Sequence, residues 1–184
     1  LRGGYAGYGH PSPDDRDFAE YEAVLSGDLS ANDGPNFTYN GENSYHVVVA
    51  GSADASAILD GFTITAGNAN GDGSVGGGMR IQAASPTIIN CTFRANTASS
   101  AAGIYNYQNG HPTVTNCLFI DNWATNNGAG LHTSQANVTA INCRFIGNRC
   151  GGSGNGAGMT LSSAGGSSVV NCLFSGNTGG MGAG

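Results

Sequence analysis

Apolar and polar positions alternate with a period of two inside one short pattern, Asn-Cys-x-Phe-x-x-Asn. It occurs four times, at 90–96, 116–122, 142–148 and 171–177. Alternation of this kind predicts a β-strand with Cys and Phe facing the same way, into the interior. A β-prone run precedes each copy: Pro86–Ile89, Pro112–Thr115, Val138–Ile141 and Ser167–Val170. One strand is therefore expected to begin before each Asn and to end near each Phe. The copies are 26, 26 and 29 residues apart, which is the sign of a repeat architecture.

A second pattern lies between the copies: Gly77-Gly78-Met79, Ala102-Gly103-Ile104, Ala129-Gly130-Leu131 and Ala157-Gly158-Met159, begun again at Ala183-Gly184. Two small residues before one large apolar residue fit a tight corner entering a strand, because Gly admits close approaches that a side chain would block. Each period then holds two or three short strands. Roughly 26 residues at about 3.3 Å each complete one circuit of a coil, with successive coils about 4.8 Å apart. The expected fold is all-β, a right-handed parallel β-helix of about 26–29 residues per coil. The Gly-rich, β-branched composition argues against helical repeats, which need amphipathic 3.6-residue spacing. Propeller blades need longer units, and a calcium β-roll needs Asp in its repeats.

The F-x-x-N pairs (Phe93/Asn96, Phe119/Asn122, Phe145/Asn148, Phe174/Asn177) and the small-Gly-apolar corners resemble the repeats of polymorphic outer membrane proteins. The resemblance covers about 60–184. Leu59–Ile64 looks like a degenerate earlier copy, with Phe62 and Ile64 in the places of Cys and Phe. It implies a pectin-lyase-like β-helix and a passenger exposed at the bacterial cell surface, in adhesive or structural roles. The chain departs from that pattern where Ala replaces the first Gly, and it shows no membrane-barrel segment.

Composition narrows the partners. The net charge is −6, no residue is Lys, and 11 of the 12 acidic residues fall between Asp14 and Asp72. A chain of this kind is ill suited to nucleic acid or an anionic membrane surface. No apolar run reaches the length of a membrane span. Along the chain, 1–45 reads as an opening strand at Leu1–Tyr8 followed by an irregular, cap-like acidic segment. That segment carries a helical turn near Asp14–Ala23 and a short strand at Ala23–Ser26. Residues 46–184 read as β-helix repeats, open at the C-terminal end. That open end suggests end-to-end stacking of chains.

Candidate chemistry is sparse. Cys91, Cys117, Cys143 and Cys172 form one expected column, as do Phe93, Phe119, Phe145 and Phe174, and Asn96, Asn122, Asn148 and Asn177. The Cys column reads as small buried hydrophobes, and without C-x-x-C pairs it makes no metal site. The Asn column reads as a coil-to-coil amide ladder. Cys150 stands apart on a Gly-rich corner. Asn68, Asn70 and Asp72 imitate half of a calcium loop, but the twelfth position is Met79; Asp28–Gly34 is a poorer imitation. No cofactor is expected.

Glycoside hydrolysis needs two facing carboxylates, and from residue 81 onward Asp121 is alone. His111, His132 and Asp121 match no known constellation. Arg94 and Arg144 occupy similar coil positions without an acidic cluster, and Asp54, Asp60 and Asp72 are the remaining carboxylate candidates. Tyr105, Tyr107 and Trp123, with Tyr5, Tyr8, Tyr39 and Tyr45 near the start, are the side chains able to stack on sugars. The expected function is a non-catalytic, extracellular structural or adhesive solenoid, a filament subunit or part of a large surface protein. The partner would be a glycan or a host-surface ligand. The alternative is a polysaccharide-binding or polysaccharide-degrading β-helix.

Overall fold

The computed structural model describes residues 1–71, 74–152, 154–162 and 165–179. Four strands make each of the middle coils, and they recur coil after coil. The first turns contain β1 (Ala23–Ser26), β2 (Val48–Gly51), β3 (Ile58–Asp60), β4 (Phe62–Thr65) and β5 (Asn68–Ala69). The next coil holds β6 (Met79–Gln82), β7 (Thr87–Ile89), β8 (Thr92–Arg94) and β9 (Thr97–Ala98). It is followed by β10 (Ile104–Tyr107), β11 (Thr113–Thr115), β12 (Leu118–Ile120) and β13 (Trp123–Ala124). A further coil holds β14 (Leu131–Ser134), β15 (Thr139–Ile141), β16 (Arg144–Ile146) and β17 (Arg149–Cys150). The last has β18 (Met159–Ser162), β19 (Ser168–Val170) and β20 (Leu173–Ser175). All pairings between them are parallel and join equivalent strands of successive coils into four sheets.

The strand expected to run through each Asn-Cys-x-Phe is broken at its Asn. Asn90, Asn116, Asn142 and Asn171 have φ between +51° and +54°, the left-handed region that Asn tolerates better than most residues. Each one turns the chain from the β7-type sheet into the β8-type sheet. Their side chains point outward and bond from coil to coil: Asn116 donates to Asn90, Asn142 to Asn116 and Asn171 to Asn142. That corner is why a coil has four strands and not two or three.

Inside, the columns stack in register. The Phe93, Phe119, Phe145 and Phe174 rings lie nearly parallel, with centroids 4.6–5.1 Å apart, and Ile64 takes the Phe place in the earlier coil. Phe62 precedes the Cys91 rung in the same way. Cys91, Cys117 and Cys143 are buried beside the Phe column, while Cys172 in the last coil is half-exposed. Asn96, Asn122 and Asn148 are wholly buried. Each gives its Nδ2 to the next ladder Asn and to a carbonyl of the previous coil, and Asn177 gives its Nδ2 to Phe145 O. Gly103 shows why the corner needs Gly: an added Cβ would sit 2.2 Å from Gly130 O of the neighbouring coil.

β1 continues the Phe-bearing sheet beyond β4, and Arg2 bridges to Asp60 beyond β3. No continuous strand spans Leu1–Tyr8; Tyr5 bridges Arg16 across a loop instead. The turn near Asp14–Ala23 is a single one, closed by Tyr21 N to Asp17 O and capped by Asp17 Oδ1. Arg16 pins this region, pairing with Asp60 at 2.9 Å and lying over the Phe18 and Tyr5 rings. Val169 of β19 is exposed where Val114 and Ala140, its counterparts in the preceding coils, are buried.

Candidate functional site

The narrowest sheet carries the site. β5, β9, β13 and β17 have only two residues each, one facing in and one facing out. The inward residues Ala69, Ala98 and Ala124 are buried and small, with Cys150 following them, so this side of the coil is tight. The outward residues form a column in register: Asn68, Thr97, Trp123, Arg149.

Residues 27–44 loop out beside this column as a strap and cover its lower half. Asn68 Nδ2 donates to Asn40 O at 2.7 Å, and Asn68 Oδ1 accepts from Thr97 Oγ1 at 2.7 Å; both side chains are buried. Higher up, Phe37 of the strap lies 6.5 Å from Trp123, centroid to centroid, with the planes 37° apart. Between strap and sheet runs a cleft of about 660 Å³, lined among others by Phe37, Asn40, Asn70, Ser99, Trp123 and Arg149. It combines an aromatic face, amides, hydroxyls and one guanidinium. Arg149 has no ion-pair partner among the described residues.

A second recess of about 510 Å³ adjoins the first, sharing Arg149, and brings in Asp28, Asp33 and Asp121. The expectation that Asp121 stands alone is thus corrected. The strap carries carboxylates to the repeats, which the linear spacing of acidic residues does not reveal. Oxygens of Asp28, Asp33 and Glu42 lie within 4.8 Å of one another, a grouping a hard divalent cation can bridge. Desolvation works against the Asp28 charge, yet the N–H groups of Asp33, Asn32 and Ser30 hold its pKa below the ordinary carboxylate value.

The other candidates have structural partners. Of the half calcium loop, Asn68 is committed to Asn40 and Thr97, Asn70 lines the cleft, and Asp72 lies outside the described residues. Asp54 accepts from the Ser56 backbone and hydroxyl. Asp60 ends the outer amide ladder by accepting from Asn90 at 2.9 Å, and against its burial the bonds from Arg16 and Asn90 keep its pKa low. Arg94 does have a carboxylate beside it, Glu22 at 3.5 Å. In register it stands opposite Ile120, not at the Arg144 rung.

His111, His132 and Asp121 are not brought together: His111 meets Asn137, and His132 on β14 meets Ser162 on the adjacent strand β18. His132 is buried between Tyr105 and the Gly128 corner, and that burial lowers its pKa to about 4. Tyr105 and Tyr107 stack on each other, and Arg80 bonds the Tyr107 hydroxyl, so they lie on a different face from Trp123. Burial pushes the Cys117 thiol well above its ordinary value.

Sequence reasoning found Trp123 and missed the strap residues Phe37 and Asn40. No periodic signal marks them, because they lie in the irregular segment. Arg149 is legible as the residue one 26-residue period after Trp123.

No curated protein and no solved structure matches the chain. A family model described as "Right handed beta helix region" matches residues 33–183, which takes in the coils, the cleft and most of the strap. The chain belongs to the right-handed β-helix family.

Proposed function

We propose that the protein is a non-catalytic adhesive β-solenoid that works outside the cell and holds a glycan in the cleft beside Trp123. The observation that carries this reading is the lining itself. An aromatic face stacks on the apolar face of a sugar ring, and amides and hydroxyls meet its hydroxyl groups. Trp123 is 37% exposed, so its ring is available without unfolding. Trp123 and Arg149 are the outward residues that the strap leaves exposed, one coil apart at roughly 4.8 Å, which favours a ligand that reaches from the ring to the guanidinium.

The test is titration calorimetry against a panel of neutral and acidic oligosaccharides. Trp123→Ala is expected to cost about 1–3 kcal/mol of binding and to leave the melting temperature nearly unchanged. A panel without a binder, or binding indifferent to Trp123→Ala, sinks the reading.

One observation favours a second reading, hydrolysis. Asp28, Asp33 and Asp121 share a recess, and glycosidases need carboxylates about 5–10 Å apart. Sugar release from the same panel, abolished by Asp121→Asn, would replace adhesion with catalysis.

A further inference from the structure

We propose that Phe37 and Trp123 form an aromatic jaw, shut in the free protein, which opens by outward movement of the strap and closes on one pyranose ring. This rests on the glycan reading above and names how that site takes its ligand.

The strap is tied to the solenoid mainly at its two ends. Gly27 N donates to Thr65 O, Asn68 N to Ser44 O, and Asn43 Nδ2 to Ala66 O, at 2.8–2.9 Å, and Ser44 N to Gly27 O closes the base of the strap on itself. Between those ends, the one hydrogen bond to the solenoid among the described residues is Asn68 Nδ2 to Asn40 O. The strap is nonetheless ordered within itself. Asp28 accepts from three backbone N–H groups, and Gly34 and Thr38 bridge each other. A segment ordered internally and joined at a glycine-bearing base moves as a unit. Asn36, Phe37 and Tyr39 all have φ between +56° and +64°, the left-handed state that also forms the coil corners, so the bends that place Phe37 are set within the strap itself.

The jaw spacing gives the direction of movement. A ring in van der Waals contact sits about 4 Å from each aromatic face, so a ring held between two faces needs them about 7–8 Å apart. The centroid separation of 6.5 Å is short of that by about 1 Å, and the 37° tilt makes the gap a wedge. A small outward swing of the strap therefore admits a ring, and return of Phe37 covers its second face.

The chain has one Trp, so intrinsic fluorescence reads the jaw directly. The probes are cellohexaose and hexagalacturonate, followed by Trp123 emission and by hydrogen exchange of the 35–42 backbone. Either probe, when it binds, is expected to shift the emission and slow exchange at 35–42 severalfold. Phe37→Ala is expected to weaken binding roughly 3- to 10-fold, mainly through faster dissociation, and Phe37→Tyr to restore it. Binding that requires Trp123 but is unchanged in Phe37→Ala, with no change in exchange at 35–42, overturns the jaw and leaves the glycan reading standing. Absence of binding by both probes and by the wider oligosaccharide panel overturns both.

Discussion

His132 is the residue at which solenoid packing and solution conditions meet. It faces outward on β14, yet the Gly128 corner folds over it, its Nε2 meets Ser162 Oγ at 3.2 Å, and its buried Nδ1 has no partner. Burial in that position favours the neutral ring, and the pKa falls from 6.5 to about 4. The unfolded chain then binds more protons than the folded one between about pH 4 and 6.5. Stability is therefore full above 6.5, falls as pH drops through that window and levels off below it. A shift of this size corresponds to roughly 3 kcal/mol at most. Urea denaturation at pH 7.5 and at pH 4.2 should show this loss in the wild type and a clearly smaller one in His132→Leu. Equal losses in both would remove His132 from the account. No sequence signal marks this position, since an isolated His on an alternating strand reads as exposed.

At the scale of the element, the two amide ladders differ in what they hold. The inner one is buried, and each Asn122 amide does three things: it accepts from the Asn96 side chain and backbone, donates to Asn148 Oδ1, and donates to Phe93 O. Replacing it with Ala strands several buried polar groups, each costing about 1–3 kcal/mol, so a total loss of about 3–5 kcal/mol is expected. The outer ladder lies at the surface and its bonds are uneven, from 3.4 Å for Asn116 to Asn90 to 2.6 Å for Asn171 to Asn142. Its corner conformation matters more than its amide, and Asn116→Gly, which keeps the positive φ, should cost well under half as much. Chemical denaturation of the two variants decides this, and similar losses would mean that the ladders are equivalent. The inner ladder was legible in the sequence because Phe and Asn recur at fixed distance. The corner at Asn90 and its equivalents was not, because Asn inside a β-prone run reads equally as a strand residue until its φ is known.

For the whole molecule, the repeat spacing states where length can change. From Thr87 to Ala98, from Thr113 to Ala124 and from Thr139 to Cys150 the spacing is the same, whereas the longer interval of the last copy is taken up beyond β17, before β19. The sequence could reveal the solenoid because this rigid block carries the Cys, Phe and Asn columns. It could not reveal the cleft, which exists only because an aperiodic strap lies against the coils. A solenoid's stability is approximately a sum over coils and their interfaces, so one whole coil is removable if every column stays in register. Deleting 117–142 joins Asn116 to Cys143 and restores an intact Asn-Cys-x-Phe-x-x-Asn, with Phe145 stacking on Phe93. That variant should fold to a β-rich monomer with a lower melting temperature, and should lose glycan binding because Trp123 leaves with the coil. Deleting 117–141 instead inserts one extra Asn at the corner, shifts Cys143 and Phe145 by a position and turns their side chains away from the core. Circular dichroism melts of the pair distinguish register from mere length. Cooperative unfolding of the first and not of the second is expected, and cooperative unfolding of both would show that the corner at Asn116 absorbs insertions as the glycine corners do.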